Sequence, residues 1–430
     1  MKTVKVGIIG LGVVGTGALK ILINEKKSIH EKTNVWVEVA KACDININRD
    51  FGFDFNKSIL TTNYKEILED PEISIVIELI GGYGIAKEII LGALKAKKSV
   101  VTANKALVAK YSKEIFSLAK ENGVKVYYEA SVGGGIPIIT PLQESLVANN
   151  INSLKGIVNG TANYILTQMT EKGLEFKDVL KKAQELGYAE ADPTFDIEGI
   201  DSAHKITILA SLAYGGYIDF DKVHVEGITK ITKDDIKFAQ EFGYNIKLLA
   251  SADKNENGVD IRVQPTLIAK EEMLANVNDV FNAIEVTGDY VGKTLFYGRG
   301  AGMLPTASAV VADIVKICSE DKRYKGDYHY NIENEINLRD VNEAVSKYYV
   351  RLSVADKKGM LAFIADKFAK CDVSVESMMQ LPKNENGAGM VSQIFITHDT
   401  VEKNLKAAIS EVAKNSDVVL EKSICLKINK

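Results

Sequence analysis

The chain has 430 residues, 46% of them hydrophobic and 26% charged, the make-up of an ordinary globular protein and not of a disordered one. Its formal net charge of −4 excludes bulk electrostatic attraction to nucleic acid. Four widely spaced cysteines, Cys43, Cys318, Cys371 and Cys425, form no CxxC pair, which excludes a zinc ribbon or disulfide framework and fits a reducing, cytoplasmic setting.

Residues 4–9 form a short β-branched run, followed by Gly10-Leu11-Gly12-Val13-Val14-Gly15 and then by Ala18, Leu19, Ile21 and Leu22 at helical spacing. This reads as strand, tight turn and helix, and not as a signal peptide. Further strands are expected at 35–43, 74–80 (despite Glu78), 99–102 and 123–129, with helices at 87–96 and 112–121. That alternation predicts a Rossmann-like, doubly wound parallel sheet over residues 1–130.

Beyond residue 130 the texture changes. A glycine-proline loop at 131–137 leads to a helix at 141–148 and a strand at 154–159. Two helices then frame a loop at 188–199, and alternating stretches within 217–295 read as a mixed sheet. The uncharged stretch 206–218 is too short to span a bilayer, so no membrane segment is expected. A second glycine cluster at 298–302 opens a helix at 306–318, placed to pack back on the first domain. Residues 131–320 are thus expected to be an α+β catalytic and dimerisation domain, and 321–346 a polar linker. The tail, 347–430, follows the order βαββαβ of a small ferredoxin-like unit.

The glycine loop is the first functional signal. Its glycines permit a tight turn and close approach of a pyrophosphate to the positive end of a helix. Asp44, just past the second strand, is placed to bind the ribose hydroxyls of NAD, whereas Arg49 or Lys57 would receive the extra phosphate of NADP, and the residues leave that choice open.

The second signal is a charged pair on an apolar helix. Asp201 and Lys205 share a face with Ile208, Leu209 and Leu212, in a segment apolar almost all round. Burial disfavours an ammonium, so such a lysine can trade protons near neutrality, with Asp201 holding it in place. Lys105, in Thr102-Ala103-Asn104-Lys105, follows a strand at the carboxyl edge of the sheet, where ligands bind, and is otherwise a surface loop lysine. Glu190 and Asp192 either accept hydrogen bonds from a substrate amine or hydroxyl or belong to an ordinary acidic loop, and His204, on another face from Lys205, reads as structural.

Taken in order, these stretches resemble the homoserine dehydrogenase family, in the form with a C-terminal ACT domain. The likeness is carried by Gly7-Ile-Ile-Gly-Leu-Gly-Val-Val-Gly15, Thr102-Ala-Asn-Lys-Ala106, Glu129-Ala-Ser-Val-Gly-Gly-Gly-Ile-Pro137, Asn159-Gly-Thr-Ala-Asn-Tyr-Ile-Leu166, Gly187-Tyr-Ala-Glu-Ala-Asp-Pro193, Gly199-Ile-Asp-Ser-Ala-His-Lys205, Gly298-Arg-Gly-Ala-Gly302 and Pro305-Thr-Ala-Ser308. The resemblance implies interconversion of L-homoserine and L-aspartate 4-semialdehyde with NADP or NAD, in threonine, methionine and isoleucine biosynthesis, by a homodimer or homotetramer. It makes Lys205 the proton donor and acceptor, Lys105 its assistant beside the nicotinamide, and Glu190 and Asp201 the holders of the substrate amine. Gly160 and Gly302 match residues near the cofactor. A monovalent cation, sodium, is implied at Glu129 with the carbonyls of Val132, Gly134 and Ile136. The tail resembles an ACT domain through Asp356-Lys-Lys-Gly-Met-Leu361, with Lys358 where proline is commonest. It implies either an amino-acid effector, L-threonine, or a purely oligomerising role.

Overall fold

The computed structural model describes residues 3–319, 330–380 and 389–429, so the opening of the expected linker, 321–329, lies outside the described residues. The chain divides into two compact units, each assembled from three separated stretches. The first joins Met1–Gly160, Asp201–Val223 and Phe281–Asn337, and the second Thr161–Ile200, His224–Val280 and Leu338–Lys430.

The first unit holds a parallel sheet of β1 (Thr3–Ile9), β2 (Trp36–Cys43), β3 (Leu60–Thr61), β4 (Ile73–Glu78), β5 (Ser99–Thr102) and β6 (Val126–Tyr127). The strand order is β3-β2-β1-β4-β5-β6. The order reverses between β1 and β4, and a crevice at the carboxyl ends of such strands is where open sheets bind ligands. The core of this layer packs Val6, Ile8, Ile75, Ile77 and Val101 against Leu19 of α1 (Val13–Asn24). The helix Met303–Ser319 supplies Ala307, Val310, Val311 and Ile314 to the same core. Gly17 permits that approach, because a Cβ there would lie 2.8 Å from the Met303 carbonyl oxygen. The Rossmann-like sheet expected from the sequence is therefore present.

Local readings needed three corrections. A helix α2 (Lys26–Thr33) follows α1 with no buried residue, so no apolar period announces it. After α3 (Gly84–Lys95), the helix expected to start at 112 is α4 (Lys105–Asn122), so Lys105 opens a helix and is not a loop residue. Asn104 caps it, its Oδ1 accepting the Leu107 N–H at 3.2 Å, and a non-helical Tyr111 (φ −119°) interrupts the apolar period that would have shown the whole length. The helix expected at 141–148 is a π-helical turn, Pro141–Ser145. The first unit also holds an antiparallel set of strands Ile151–Ile157, Phe281–Gly288 and Gly292–Arg299, and almost all of the helix Ile200–Tyr214.

In the second unit, the hairpin of Tyr244–Asn255 and Gly258–Ala269 is paired along its full length. The tail supplies strand Tyr348–Ala355, helix Met360–Lys370, strands Val375–Gln380 and Met390–Thr397, helix Glu402–Ala413 and strand Val418–Ile428. Its strands are antiparallel, in the spatial order fourth, first, third, second, around a core of Leu352, Ile364, Phe368, Phe395 and Leu405. The last strand runs on to pair in parallel with Gly258–Ala269 at Thr266↔Lys427 and Leu267↔Ile428.

Two buried charge clusters fasten the tail to the rest of this unit. Arg262, 1% exposed, is gripped by both oxygens of Asp260 at 2.9 and 2.7 Å and by Glu402 at 2.9 Å, and Tyr348 Oη donates to the same Glu402 oxygen. Asp235, fully buried, accepts Arg351 Nε at 2.6 Å, Arg351 Nη2 at 2.9 Å and Tyr349 Oη at 3.1 Å. Among the described residues no helix is long and apolar enough to cross a membrane.

Candidate active site

The glycine loop divides its labour. Gly10 has φ 95°, and a Cβ there would sit 2.7 Å from the Leu79 carbonyl carbon, while a Cβ on Gly15 would sit 1.9 Å from the Gly10 carbonyl oxygen. These two glycines let the chain fold tightly on itself. Gly12, at the N-cap of α1, would meet nothing within 4 Å, and the following Val13 is 64% exposed. The helix N-terminus is therefore open at the middle glycine, and the cradle fits the phosphates of a dinucleotide.

Asp44 and Arg49 both grip Leu11, between Gly10 and Gly12. The Leu11 N–H donates to Asp44 Oδ2 at 2.6 Å, and the Asn46 N–H to Asp44 Oδ1 at 2.9 Å. Arg49 Nη2 donates to the Leu11 carbonyl and, at 2.7 Å, to Thr16 Oγ1, with its guanidinium 4.8 Å from the Phe51 ring centre. Each Asp44 oxygen thus accepts one backbone N–H, and a cation is stationed at the loop.

The carboxyl edge of β4 and β5 is organised by Glu78, which the sequence pattern shows only as an interruption of an apolar strand. It is fully buried. Its Oε1 accepts the N–H groups of Ile80 (2.8 Å) and Gly81 (3.1 Å), and its Oε2 accepts Thr102 Oγ1–H at 2.7 Å. Thr102 Oγ1 in turn accepts the Asn104 N–H, and Asn104 Nδ2 donates to the Gly82 carbonyl at 2.7 Å. This closed network fixes the 80–82 loop and the Thr102-Ala103-Asn104 turn from which Lys105 emerges.

Lys105, Asp201 and Lys205 come together. Asp201, 4% exposed, receives Lys205 Nζ on Oδ2 at 2.7 Å and Lys105 Nζ on Oδ1 at 3.0 Å, and Asn159 Nδ2 adds a bond to Oδ2 at 2.9 Å. Lys205 Nζ also donates to the Val158 carbonyl at 2.6 Å. Burial pushes the Asp201 carboxyl up, but the two ammoniums and the Asn159 bond outweigh it and hold the group well below the usual carboxylate range. One carboxylate therefore holds two ammonium groups in a fixed pair. The side chain of Lys105 is 37% exposed and that of Lys205 10%.

His204 faces elsewhere, stacked on Phe220 at 4.4 Å with Nε2 3.3 Å from Tyr83 Oη. Burial is the main force pushing it down to about 4, Asp201 opposing and the neighbouring lysines reinforcing, so it is neutral at neutral pH. Its unfolded value near 6.5 is higher, so this contribution to stability is complete above 6.5 and is lost as pH falls through 4. His204→Gln is expected to flatten the fall of Tm between those values. An unchanged Tm–pH profile would show that the histidine does not carry it.

Glu129 sits under the 131–137 loop. Its Oε1 accepts the N–H groups of Ile138 and Ile139, and its Oε2 that of Thr140, at 2.7–2.8 Å. Asp313, unremarked in the sequence, accepts the Glu129 N–H at 2.8 Å, and burial beside Glu129 raises its carboxyl well above the usual range. Gly134 (φ 57°) packs on the second glycine cluster, since a Cβ there would lie 2.4 Å from the Gly300 carbonyl oxygen, and Gly302 has φ 123°. Gly160 opens the helix Gly160–Lys172. Glu190 and Asp192 belong to the second unit and are exposed, and Asp192 Oδ1 is occupied by the N–H (3.1 Å) and hydroxyl (2.6 Å) of Thr194.

A dinucleotide cradle in the same unit as a lysine pair clasped by a buried carboxylate is the equipment of an NAD(P)-dependent oxidoreductase acting on a CH–OH group. Comparison narrows the class. The homoserine dehydrogenase profile matches residues 137–315, and the homoserine dehydrogenase NAD-binding domain profile residues 10–129. The homoserine dehydrogenase of Pseudomonas aeruginosa is 45% identical over 416 residues, which is 95% of either chain. A homoserine dehydrogenase structure from Thiobacillus denitrificans superposes with a TM-score of 0.90 at 42% identity, covering 100% of this chain and 99% of that one. A hyperthermophilic archaeal homoserine dehydrogenase solved in complex with NADPH reaches 0.61 at 28% identity, covering 74% of this chain and 98% of its own. The chain belongs to the homoserine dehydrogenase family.

Proposed function

We propose that the chain interconverts L-homoserine and L-aspartate 4-semialdehyde, a step toward threonine, methionine and isoleucine, and that Lys205 moves the proton. The observation that carries this is the clasp of Lys205 and Lys105 on Asp201. The bound nicotinamide supplies hydride chemistry at the carbon bearing the hydroxyl. In reduction, Lys205 Nζ gives a proton to the carbonyl oxygen; in oxidation it takes the proton back from the hydroxyl. The Lys105 ammonium faces the same oxygen and stabilises its developing negative charge. Asp201 keeps both lysines in position. Glu190 receives the substrate ammonium, Asp192 being committed to Thr194. Gly10–Gly15, Thr102, Ala103, Gly160 and Gly302 shape the cofactor cleft.

The cation that Arg49 places beside the glycine loop favours NADP over NAD. The implied sodium would be held by Glu129 with the carbonyl oxygens of Val132, Gly134 and Ile136, on a loop whose end Glu129 fixes through its three N–H bonds. Residues 1–130 serve as the dinucleotide domain, and the tail acts as an ACT-type regulatory module, answering to L-threonine near Gly359, in a homo-oligomer.

The test is oxidation of L-homoserine, followed by nicotinamide absorbance with NADP and NAD in parallel, with and without threonine. Absence of turnover with both cofactors would overturn the assignment. Arg49→Ala is expected to raise KM for NADP about tenfold or more and KM for NAD by clearly less, since the loop contacts of Arg49 serve both cofactors and only NADP loses a charge-assisted phosphate contact. Equal effects on the two cofactors would remove Arg49 from that role.

A further inference from the structure

The two lysines of the site come from two different elements. Lys105 is the first residue of α4, and Lys205 lies in the helix Ile200–Tyr214. Asp201 joins them by ion pairs. That link changes during turnover. When Lys205 gives its proton to the carbonyl oxygen it becomes a neutral amine, and its attraction to Asp201 falls. Lys105, with 37% of its side chain exposed, is held by an ion pair that solvent weakens.

A second link between the same two elements uses no ion pair. The loop 80–83 leaves β4 with its Ile80 and Gly81 N–H groups held on Glu78. The Gly82 carbonyl then accepts Asn104 Nδ2–H at 2.7 Å, one residue before Lys105. At the far end, Tyr83 Oη lies 3.3 Å from His204 Nε2, one residue before Lys205. The loop therefore runs from the neighbour of one lysine to the neighbour of the other. Its course needs two successive left-handed residues, Gly81 (φ 80°) and Gly82 (φ 71°), which glycine adopts without strain. Rings seat its far end. Tyr83 meets Tyr111 edge-on at 6.1 Å, at the kink in α4, and His204 stacks on Phe220. Lys110 Nζ stands 5.8 Å from the Tyr83 ring centre and 4.8 Å from that of Phe220. Tyr83 and His204 are both uncharged at neutral pH, so their contact is indifferent to the charge that Lys205 carries.

We propose that the loop 80–83 is a neutral brace that keeps Lys105 and Lys205 at their working separation, with Asn104 and Tyr83 as positioning residues acting through the lysine pair. The brace rests on the reading of those lysines as the reacting groups, and it adds what holds them when Lys205 is without its proton. Once Lys105 is removed there is no pair to hold, so the brace loses its effect on turnover.

The test uses the full chain and two mild substitutions. Asn104→Ser keeps the cap of α4, because serine caps as well as asparagine, but cannot reach the Gly82 carbonyl. Tyr83→Phe keeps the ring and removes the hydroxyl. Each is expected to lower kcat for homoserine oxidation about three- to tenfold, the loss of one hydrogen bond, with KM for homoserine and for NADP changed by less than about twofold. In a Lys105→Ala background neither should lower kcat by more than about twofold further. A second readout needs no turnover. Lys105 is trace-labelled with acetic anhydride and read by mass spectrometry against the exposed Lys27, and in both variants it should label about threefold faster or more, as an amine less often paired with Asp201. Wild-type kcat in both variants, undiminished losses in the Lys105→Ala background, or unchanged labelling of Lys105 would each overturn the brace. Failure of the wild-type chain to oxidise homoserine would instead remove the dehydrogenase assignment, and the labelling would still decide whether the loop holds Lys105 in place.

Discussion

Lys205→Ala is expected to lower kcat for homoserine oxidation by about 10³- to 10⁴-fold, the loss typical of a general acid–base group. Affinity for NADPH, read from its fluorescence, should stay near wild type, because Asp201 and Val158, which Lys205 holds, lie outside the glycine loop. The effect should fall on kcat and kcat/KM together, the signature of a contact made in the transition state. Lys105→Ala should be milder, because the proton donor remains and only charge stabilisation is removed. A Lys205→Ala enzyme within about tenfold of wild-type kcat would assign the proton to another group.

The two halves of the site were unequally legible in the sequence. The lysine helix could be read because Asp201 and Lys205 are one helical turn apart on an otherwise apolar segment, so their meeting is local geometry. The glycine loop was legible for the same reason, as every residue of it is contiguous. Glu78 was not. Its partners are two backbone N–H groups beyond its own strand and a threonine 24 positions away, and no periodicity encodes that. The start of α4 was hidden because the Tyr111 kink splits one helix into two short apolar patterns, of which only the second was long enough to see. α2 lacked any apolar face to reveal it. The tail's strand and helix order was readable from alternation alone, whereas the pairing of its last strand with Gly258–Ala269 joins positions about 160 residues apart and belongs to no motif.

Asp235→Ala should cost about 3–5 kcal/mol of stability, the largest structural effect anticipated in this chain. The carboxylate is fully buried and takes five hydrogen bonds from side chains and backbone, two from Arg351, one from Tyr349 and two from Thr232. Its removal strands a guanidinium that is itself almost wholly buried and leaves the Thr232 cap of the helix Lys233–Glu241 without its reciprocal partner. Urea denaturation would measure the loss. Adding Arg351→Met should restore part of it, since an apolar pair avoids the unpaired charge that a single deletion creates. A loss under about 1 kcal/mol would mean that the pair behaves like a solvated surface bridge.

The last strand has a consequence for the protein while it is being made. Thr266 and Leu267 acquire their neighbours Lys427 and Ile428 only from the final turn of the chain. The roughly 160 residues that separate them take about 10–30 s to emerge from a ribosome. Through that interval the end of the strand Gly258–Ala269 is an uncovered edge on a β-branched, apolar segment, the kind of surface that templates pairing with other chains. A nascent chain halted before residue 427 therefore carries an adhesive edge that the finished one hides, and stalled or truncated products of this sequence should be the ones that aggregate and that chaperones retain.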